Sequence, residues 1–430
     1  MNNKIIKNAS WIIICRIVQA ILNLIVSMLT ARYLGPSNYG LITYASSIVA
    51  FIVPLVQLGI NSILVQEIVE EPENSGNIIG TSAVLTISSS VLGILGVWAF
   101  TTIANRNEID TIIVSTLYSV SLFFQMTEMI QYWYQANLLS KYVSIVSLIS
   151  RLIVSFYKIY IIIYGKNIYW FAIVNSLDYF IISTLLFVIY FRIGGQKLSY
   201  SMNTANKILA RSKHFIIAGM MVSIFGQTDK IMLKLMVGDA ESGIYSAAIT
   251  CAGMSAFLFT AIIDSFRPVI IGEKKVDEKS YKRNTIRLYA LIIYLALGQS
   301  VILSLFAAPI IKILYGVEFL PAVTVLRIVT WYSAFSYLGG ARNIWFLVEN
   351  KHKYIWITSM FGAIINVTGN YILIPLYGAC GAAVASVITQ FLTNFALSFL
   401  LKPIRENAIW MLEALNPKVF KFLLAYKCMK

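Results

Sequence analysis

The chain has 430 residues, of which 58% are hydrophobic and only 12% are charged, and its mean hydropathy is +0.76. An average soluble domain is about 25% charged, so a soluble protein of this composition would expose far too much apolar surface. The bilayer must therefore solvate most of the chain. The four cysteines and two histidines lack the spacing of a metal site or a disulfide framework, and we expect neither a metal nor a cofactor.

Runs of roughly 20 or more apolar residues predict an all-α integral membrane protein with about twelve transmembrane helices. The first six runs lie at 9–31, 40–62, 78–103, 111–134, 142–164 and 168–191. The other six lie at 214–237, 243–271, 286–307, 320–347, 354–376 and 379–401. Arg327 and Arg342 interrupt the run at 320–347, which departs most from the pattern of a simple span.

The longest polar break divides the predicted spans into two lobes of six helices each. The predicted domains are an N-terminal lobe at 1–195, a cytoplasmic linker at 196–212, a C-terminal lobe at 213–402 and a cytoplasmic or interfacial tail at 403–430. A G-x4-G turn follows the first span of each half, at 35–40 and again 203 residues later, at 238–243. Six spans per half keep two such repeats parallel, as in known transporters, although short glycine turns also recur by chance.

The distribution of lysine and arginine between the predicted loops indicates the orientation. With the N-terminus inside, the cytoplasmic segments hold 22 cations and the outside segments only 4, namely Arg32, Arg106, Lys166 and Lys312. This bias predicts that both termini are cytoplasmic. It also accounts for the formal charge of +15, so the basic residues do not indicate a nucleic-acid partner.

Eight cations and four anions remain inside the predicted spans. Each costs roughly 2.5–3.5 kcal/mol near the centre of a lone helix, so we expect them to face a wet cavity or one another. The excess of cations favours an anionic cargo, since Arg and Lys attract phosphate. The candidate substrate-binding cations are Arg16, Arg151, Lys158, Lys230, Arg267 and Arg327.

Helical spacing adds polar partners to these cations. Gln19 and Asn23 share a face with Arg16 on the first span, and Gln227 shares one with Lys230 on the seventh. We therefore predict that Gln19, Asn23 and Gln227 line the cavity. Helix–helix packing is the alternative for such polar stripes.

The acidic residues and the cations near span ends leave alternatives open. Asp178 and Asp229 are candidates for ion coupling, or they only neutralise nearby cations. Lys234, Arg267 and Arg342 lie close enough to a span end to snorkel to the interface. Asp264 and Arg267 have i, i+3 spacing and are expected to pair.

Three segments resemble one family at corresponding spans. They are 31–40 (ARYLGPSNYG) with Gln57-Leu58-Gly59-Ile60, Thr228–Leu233 with Gly243–Ala248, and Asn366 and Asn370 with 374–383. Together they resemble the bacterial polysaccharide repeat-unit (O-antigen) flippases of the multidrug/oligosaccharidyl-lipid/polysaccharide exporter superfamily. The resemblance extends over nearly the whole chain.

The resemblance implies two six-helix lobes around a central cavity, and a transporter rather than an enzyme. It implies alternating access that moves undecaprenyl-diphosphate-linked oligosaccharides across the bacterial inner (cytoplasmic) membrane for O-antigen, capsule or exopolysaccharide synthesis. The implied partners are this cargo, membrane lipids, a polysaccharide polymerase and glycosyltransferases. Arg16 and Arg267 lie on spans that carry headgroup-binding arginines in such flippases. The second span lacks the cation that the lipid II flippase has there, which favours a repeat unit as cargo.

Two other functions remain as alternatives. A cation-coupled multidrug exporter of the same fold predicts an acidic cavity, which the cation excess disfavours. A membrane polysaccharide polymerase has a similar size and span count. It usually carries a long outside loop, whereas the longest outside loop predicted here has about a dozen residues.

Overall fold

The computed structural model describes residues 2–125, 128–274 and 276–417, with side chains in the same ranges except at 2–14, 16 and 128. Throughout these ranges the regular structure is helical and contains no strand. The chain divides into two compact units, Met1–Gln227 and Thr228–Lys430. The last 13 residues of the predicted interfacial tail, 418–430, lie outside the described residues.

The first unit contains eight complete helices and most of a ninth, counted over the described residues. They are α1 Asn2–Val56, α2 Leu64–Glu70, α3 Ser75–Ala104, α4 Ile109–Ser119, α5 Ser121–Phe124, α6 Glu128–Ala136, α7 Ser140–Ile163, α8 Ile168–Arg192 and α9 Met202–Met236. The division between the units falls inside α9. One core cluster of this unit packs around the fully buried side chains of Ile60, Tyr134 and Tyr190.

The second unit contains the end of α9 and the remaining helices. They are α10 Asp239–Ala252, α11 Ala256–Glu273, α12 Glu278–Leu305, α13 Ala307–Leu314, α14 Ala322–Val348, α15 Lys353–Phe391, α16 Leu397–Leu400 and α17 Arg405–Ala414. A π-helical segment, Leu392–Ala396, joins α15 to α16. The core of this unit packs around Tyr281, Tyr289 and Trp345.

Eight helical segments of the described chain are long and apolar enough to cross a membrane, and α10 with α11, bent by 45°, gives a ninth if the pair is one span. Two of the eight, Ile17–Val56 and Lys353–Leu400, are 40 and 48 residues long, about twice the ~20 residues that one crossing needs. Each contains a break, at Gly35 and Gly378 respectively. The prediction of an all-α membrane protein is confirmed, whereas the count of twelve spans stays a prediction.

The two G-x4-G turns have the same unusual backbone. Gly35 has φ 69° and ψ 174°, and Gly238 has φ 131° and ψ −179°. This region is open essentially only to glycine. Gly316, which is not part of either turn, also adopts it (φ 92°, ψ −177°), so the repeat stays a prediction.

The segment predicted as a linker packs on the first unit. The Gly76 amide donates a hydrogen bond to Gln196 Oε1 (2.9 Å), and the Ser201 amide donates to Thr81 Oγ1 (3.1 Å). The backbone carbonyl of Lys197 lies where a side chain at Gly76 would begin, so only glycine permits this approach. From Met202 onward the segment is part of α9. The predicted lobe boundaries at 195 and 213 stay a prediction.

Candidate functional site

The first group of functional candidates lies between α7 and α8 in the first unit. Arg151 Nη2 is 3.1 Å from Asp178 Oδ2, and the Ser150 hydroxyl donates to Asp178 Oδ1 (2.6 Å). Asp178 is buried, whereas 34% of the Arg151 side chain is exposed. A carboxylate at this depth is thus held by one cation and one hydroxyl. We call Arg151, Lys158 and Asp178 the charged cluster.

A cavity of about 90 Å³ adjoins the charged cluster. Its polar lining consists of Thr30, Tyr118, Arg151, Lys158, Asn175 and Asp178. Lys158 follows Arg151 by seven residues, two turns along the same face of α7. Two cations therefore face this space with one carboxylate, which gives the lining a formal net positive charge.

The volume of this cavity limits what it accepts. Small-molecule sites usually measure about 300–1,000 Å³, and a water occupies about 30 Å³ in the liquid. At about 90 Å³, the space beside Arg151 has room for a few waters or a small ion. It is too small to enclose a larger anionic ligand.

The second group surrounds Asp229 in the second unit. Asn366 Nδ2 and Asn370 Nδ2 donate to Asp229 Oδ1, at 3.0 and 2.6 Å. The hydroxyls of Tyr245 and Ser386 both donate to Asp229 Oδ2 at 2.5 Å. These donors come from α10 and from both halves of α15, on either side of the break at Gly378. We call the five residues the Asp229 network.

The donors of the Asp229 network are all neutral and differ in what else they can do. A hydroxyl can rotate and accept a hydrogen bond instead of donating one, whereas an amide must flip to present its oxygen. Asn370 Oδ1 is buried and has no hydrogen-bond partner among the described atoms. The network can therefore rearrange to admit a proton through its hydroxyls, or a small cation through its amide oxygens. No cluster of three or more His, Cys, Asp or Glu side chains suited to a metal ion occurs in the described ranges.

Apart from Lys230, which follows Asp229 in the chain and interacts with it electrostatically, the other predicted site residues join neither group by a contact that the structure gives. In the first unit, Gln19 Nε2 donates to the Ser144 carbonyl at 3.4 Å, and Asn23 is exposed. Gln227 and Lys230 are both half-buried. The side chain of Arg16 lies outside the described residues.

Arg267 and Arg327 are exposed on the second unit. Arg267 Nη2 is 3.3 Å from Asp264 Oδ1, so the expected i, i+3 pair is confirmed. Arg327 Nε donates to the Ser304 carbonyl at 3.3 Å. Neither arginine contacts Asp229, whose four hydrogen-bond donors are all neutral.

The alternative that Lys234 and Arg342 snorkel to the interface stays a prediction, but the structure gives both side chains protein partners. Both are buried, and Lys234 Nζ is 2.8 Å from Asp239 Oδ1 across the Gly238 turn. Arg342 Nη1 donates to the Thr393 carbonyl (2.8 Å), and its guanidinium lies 4.7 Å from the centre of the Phe346 ring. Thr393 belongs to the π-helical segment, and such a bulge changes the pairing of helix carbonyls. The distance of Lys234 and Arg342 from a span end indicates neither the Asp239 partner nor the π-helical segment.

The Asp229 network contains residues that the charge pattern did not identify. In the sequence, Asn366 and Asn370 are part of the family resemblance only, and neither Tyr245 nor Ser386 is a predicted site residue. The available signal was the i, i+4 spacing of two asparagines inside an apolar run.

Comparison with known proteins identifies the family. Residues 5–272, more than half of the chain, match the family described as "Polysaccharide biosynthesis protein". The chain belongs to this family. The capsular polysaccharide biosynthesis protein CapF of Staphylococcus aureus is 24% identical to it over 409 residues, covering 93% of this chain and 100% of the relative.

Solved structures of two kinds of transporter share the fold. The lipid II flippase MurJ in an inward closed conformation has a TM-score of 0.67 and 19% identity, covering 96% of this chain and 92% of that one. An inward-facing multidrug resistance MATE family transporter of the MOP superfamily has a TM-score of 0.63 and 14% identity, covering 92% and 96%. A MOP superfamily transporter from Pyrococcus furiosus, described as having a binding pocket of reverse polarity, gives 0.61 and 14%, covering 94% and 95%. The protein is therefore a multi-pass membrane protein with the two-lobe fold of these transporters, as the resemblance implied.

Proposed function

We propose that this protein is a flippase that moves undecaprenyl-diphosphate-linked oligosaccharide repeat units from the cytoplasmic to the outer leaflet by alternating access. The product would serve O-antigen, capsule or exopolysaccharide synthesis. Membership of the polysaccharide biosynthesis family supports this proposal, as does the capsular role named for the Staphylococcus aureus relative. The structural observation that carries it is the net positive lining around Arg151, Lys158 and Asp178 inside the apolar first unit.

The negative charge of the proposed cargo explains the positive charge of the cavity lining. A diphosphate is an anion that must leave the headgroup region, and Arg and Lys provide charge-assisted hydrogen bonds to its oxygens. We propose that Arg16, Arg151, Lys158, Lys230, Arg267 and Arg327 contribute such contacts during the cycle. Gln19, Asn23 and Gln227 would hydrogen-bond the sugar hydroxyls. Because the cavity at Arg151 is small, the oligosaccharide itself would be held elsewhere.

Two aspartates are proposed for energy coupling. Asp229 is the stronger candidate because its oxygens accept hydrogen bonds from four neutral donors and form no salt bridge among the described residues. A proton or a small cation arriving there changes the local charge without displacing an ion pair. Asp178 would act by releasing or holding Arg151, since the two form a salt bridge.

The proposal includes location and partners. The protein acts in the bacterial cytoplasmic membrane with both termini in the cytoplasm, as the loop cations predict. It is a transporter rather than an enzyme. It takes its cargo from glycosyltransferases and delivers it to a polysaccharide polymerase.

Gene deletion followed by complementation tests the function. Without the protein, lipid-linked repeat units should accumulate in the cytoplasmic leaflet and surface glycan should be lost. Accumulation in the outer leaflet would identify a polymerase instead. Altered drug resistance with normal surface glycan would identify a drug exporter.

Variants of the charged cluster test the role of the cations. Arg151→Gln and Lys158→Gln should each reduce surface glycan in the complemented strain, while Arg151→Lys should retain part of it. Lys141→Gln is the matched control, because Lys141 is an exposed cation on the same helix. If both Gln variants are expressed normally and still produce wild-type amounts of surface glycan, the charged cluster has no role in transport.

A further inference from the structure

A large basic groove lies on the second unit and shares no lining residue with the Asp229 network. It has a volume of about 770 Å³. Its basic wall is formed by the first three turns of α12, where Lys279, Lys282, Arg283, Ile286 and Arg287 have the i, i+3, i+4, i+7, i+8 spacing of a single helix face. We call this space the α12–α17 groove.

The opposite wall is α17 with the residues that follow it. Leu412, Glu413 and Asn416 line the groove from this side. Lys282 Nζ is 3.0 Å from Glu413 Oε1 across it.

Buried contacts hold α17 in this place. Asn407 Nδ2 donates to the Tyr289 hydroxyl and the Tyr294 hydroxyl donates to the Leu415 carbonyl, both at 2.6 Å. Asn407 and Tyr289 are fully buried. The walls of the groove are thus fixed to each other by the fold rather than by one surface ion pair.

The lining combines two chemistries. Four cations face a single carboxylate, so the groove keeps a strong positive charge even with Lys282 and Glu413 paired. Arg283 Nη2 donates to Ser280 Oγ (2.9 Å), which uses one of the five N–H groups of its guanidinium. Ile286 and Leu412 add apolar surface beside the cations. Such a lining suits an amphiphile with an anionic head better than a free anion, which gains nothing from the apolar part.

The position of the groove along α12 indicates where the amphiphile comes from. The helix from Glu278 to Leu305 is long and apolar enough to cross the membrane, and all four cations lie within its first ten residues. After Arg287 the sequence becomes apolar. The groove therefore lies at the level where lipid phosphates end and acyl chains begin.

We propose that the α12–α17 groove binds an anionic phospholipid of the surrounding leaflet, with its phosphate on Lys279, Arg283 and Arg287 and its acyl chains against Ile286 and Leu412. Basic pockets at helix ends recognise such headgroups. A lipid with two phosphates, such as cardiolipin, matches the number of cations most closely. This site does not depend on which cargo the protein moves.

Lipid binding by the purified full-length protein in detergent tests the proposal. Native mass spectrometry counts bound lipid during titration with cardiolipin, with phosphatidylcholine and with sodium phosphate. We expect cardiolipin to bind at least tenfold more tightly than phosphatidylcholine. Sodium phosphate at equal concentration should displace little of it, because free phosphate lacks the acyl chains.

The double variant K279Q/R283Q leaves the Lys282–Glu413 pair intact and should weaken cardiolipin binding roughly tenfold or more. The matched control is K351Q/K353Q, which removes two charges from the same unit outside the groove. Equal melting temperatures of the lipid-free variants show that both are folded. Wild-type cardiolipin affinity in K279Q/R283Q, or an equal loss in K351Q/K353Q, would overturn the assignment to this groove. If equimolar phosphate displaces cardiolipin, the groove binds a soluble anion rather than a lipid.

Discussion

Two buried aspartates, one in each unit, are stabilised in different ways. Asp178 pairs with Arg151, beside a cavity that carries a second cation. Asp229 instead accepts hydrogen bonds from four neutral side chains. Both residues lie inside predicted spans, and both are sequence-based candidates for ion coupling.

The difference matters because a salt bridge and a neutral network respond differently to a change in charge. Neutralising Asp178 leaves a partly exposed arginine that water in the cavity can solvate. Neutralising Asp229 breaks no salt bridge among the described residues, but removing its oxygens orphans four donors packed between helices. The first unit is therefore suited to sensing an anionic cargo, and the second to binding and releasing a small ion.

The largest expected effect is on the stability of the Asp229→Ala variant. It leaves two amides and two hydroxyls without their acceptor, which should cost at least about 3 kcal/mol. Asp178→Ala should cost less, about 2 kcal/mol, because it orphans only the Ser150 hydroxyl and leaves Arg151 about one-third exposed to water. Thermal unfolding in detergent measures both. Equal losses would mean that the two environments do not differ energetically.

Conservative variants separate charge from structure. In Asp229→Asn the hydroxyls of Tyr245 and Ser386 can turn to accept from the new amide, so the fold should survive. Transport should still fall roughly tenfold, equivalent to about 1.4 kcal/mol, if the carboxylate couples an ion. Surface glycan per folded protein is the readout, with Tyr245→Phe as a control that keeps the charge. Normal transport by Asp229→Asn would exclude coupling at this residue.

A double variant tests the charge balance of the first unit. Asp178→Asn should reduce transport less than Asp229→Asn, because the charged cluster keeps its cations. Adding Arg151→Gln to Asp178→Asn returns the cavity to its original net charge and should restore part of the activity. If the double variant is instead as poor as the two losses combined, the residues act independently rather than as a balanced pair.

The two glycine turns allow a matched comparison between the units. Ala at Gly35 or Gly238 is forced into a backbone region that costs about 1–3 kcal/mol. A side chain at Gly238 would meet no atom within 4 Å, so the cost there is backbone strain alone. Gly96→Ala is the control, since Gly96 lies inside α3 with open space around it. A large loss at one turn and none at the other would argue against equivalent repeats.

The smallest effect concerns a third acidic group, outside the membrane. Glu67, Glu70 and Glu71 pair with Lys207 and Arg211. Hydrogen bonds from Lys207 and Asn74 lower the pKa of Glu71 below its usual value near 4.5. Hydrogen bonds from Gln66 and Arg211 similarly lower the pKa of Glu70.

A carboxyl whose pKa is lower in the folded state stabilises it fully above the unfolded pKa. The contribution is lost as the pH falls through the folded value. We expect the melting temperature to decline below about pH 4.5, and Glu71→Gln to remove part of that decline. Raising the salt concentration should also weaken the exposed pairs. A decline that neither Glu71→Gln nor salt alters would assign the pH dependence to other groups.

Local features of the sequence were sufficient for the class of protein and for most helices. Hydropathy and the span-length criterion predicted an all-α membrane protein because the bilayer acts on each segment separately. The glycine spacing at 35–40 and 238–243 indicated turns. Gly35 and Gly238 have positive φ, a conformation that depends on the residue type at one position and is therefore visible in the sequence. The positions of Arg151, Lys158 and Asp178 inside predicted spans also identified charges that meet at one cavity.

The tertiary structure decided which partner each charge has. Asp229 and Asn370 are 141 residues apart in sequence, and no local pattern shows that α9 and α15 place them 2.6 Å apart. For Arg342 the sequence left snorkelling to the interface open as one alternative, and the structure gives it as partner a carbonyl in a π-helical segment that the hydropathy of the run does not reveal. Hydropathy describes one helix at a time, whereas the hydrogen bonds that satisfy a buried charge come from the other helices that pack beside it. For that reason the sequence located the charges, and only the packing of the helices distinguished the charged cluster from the Asp229 network.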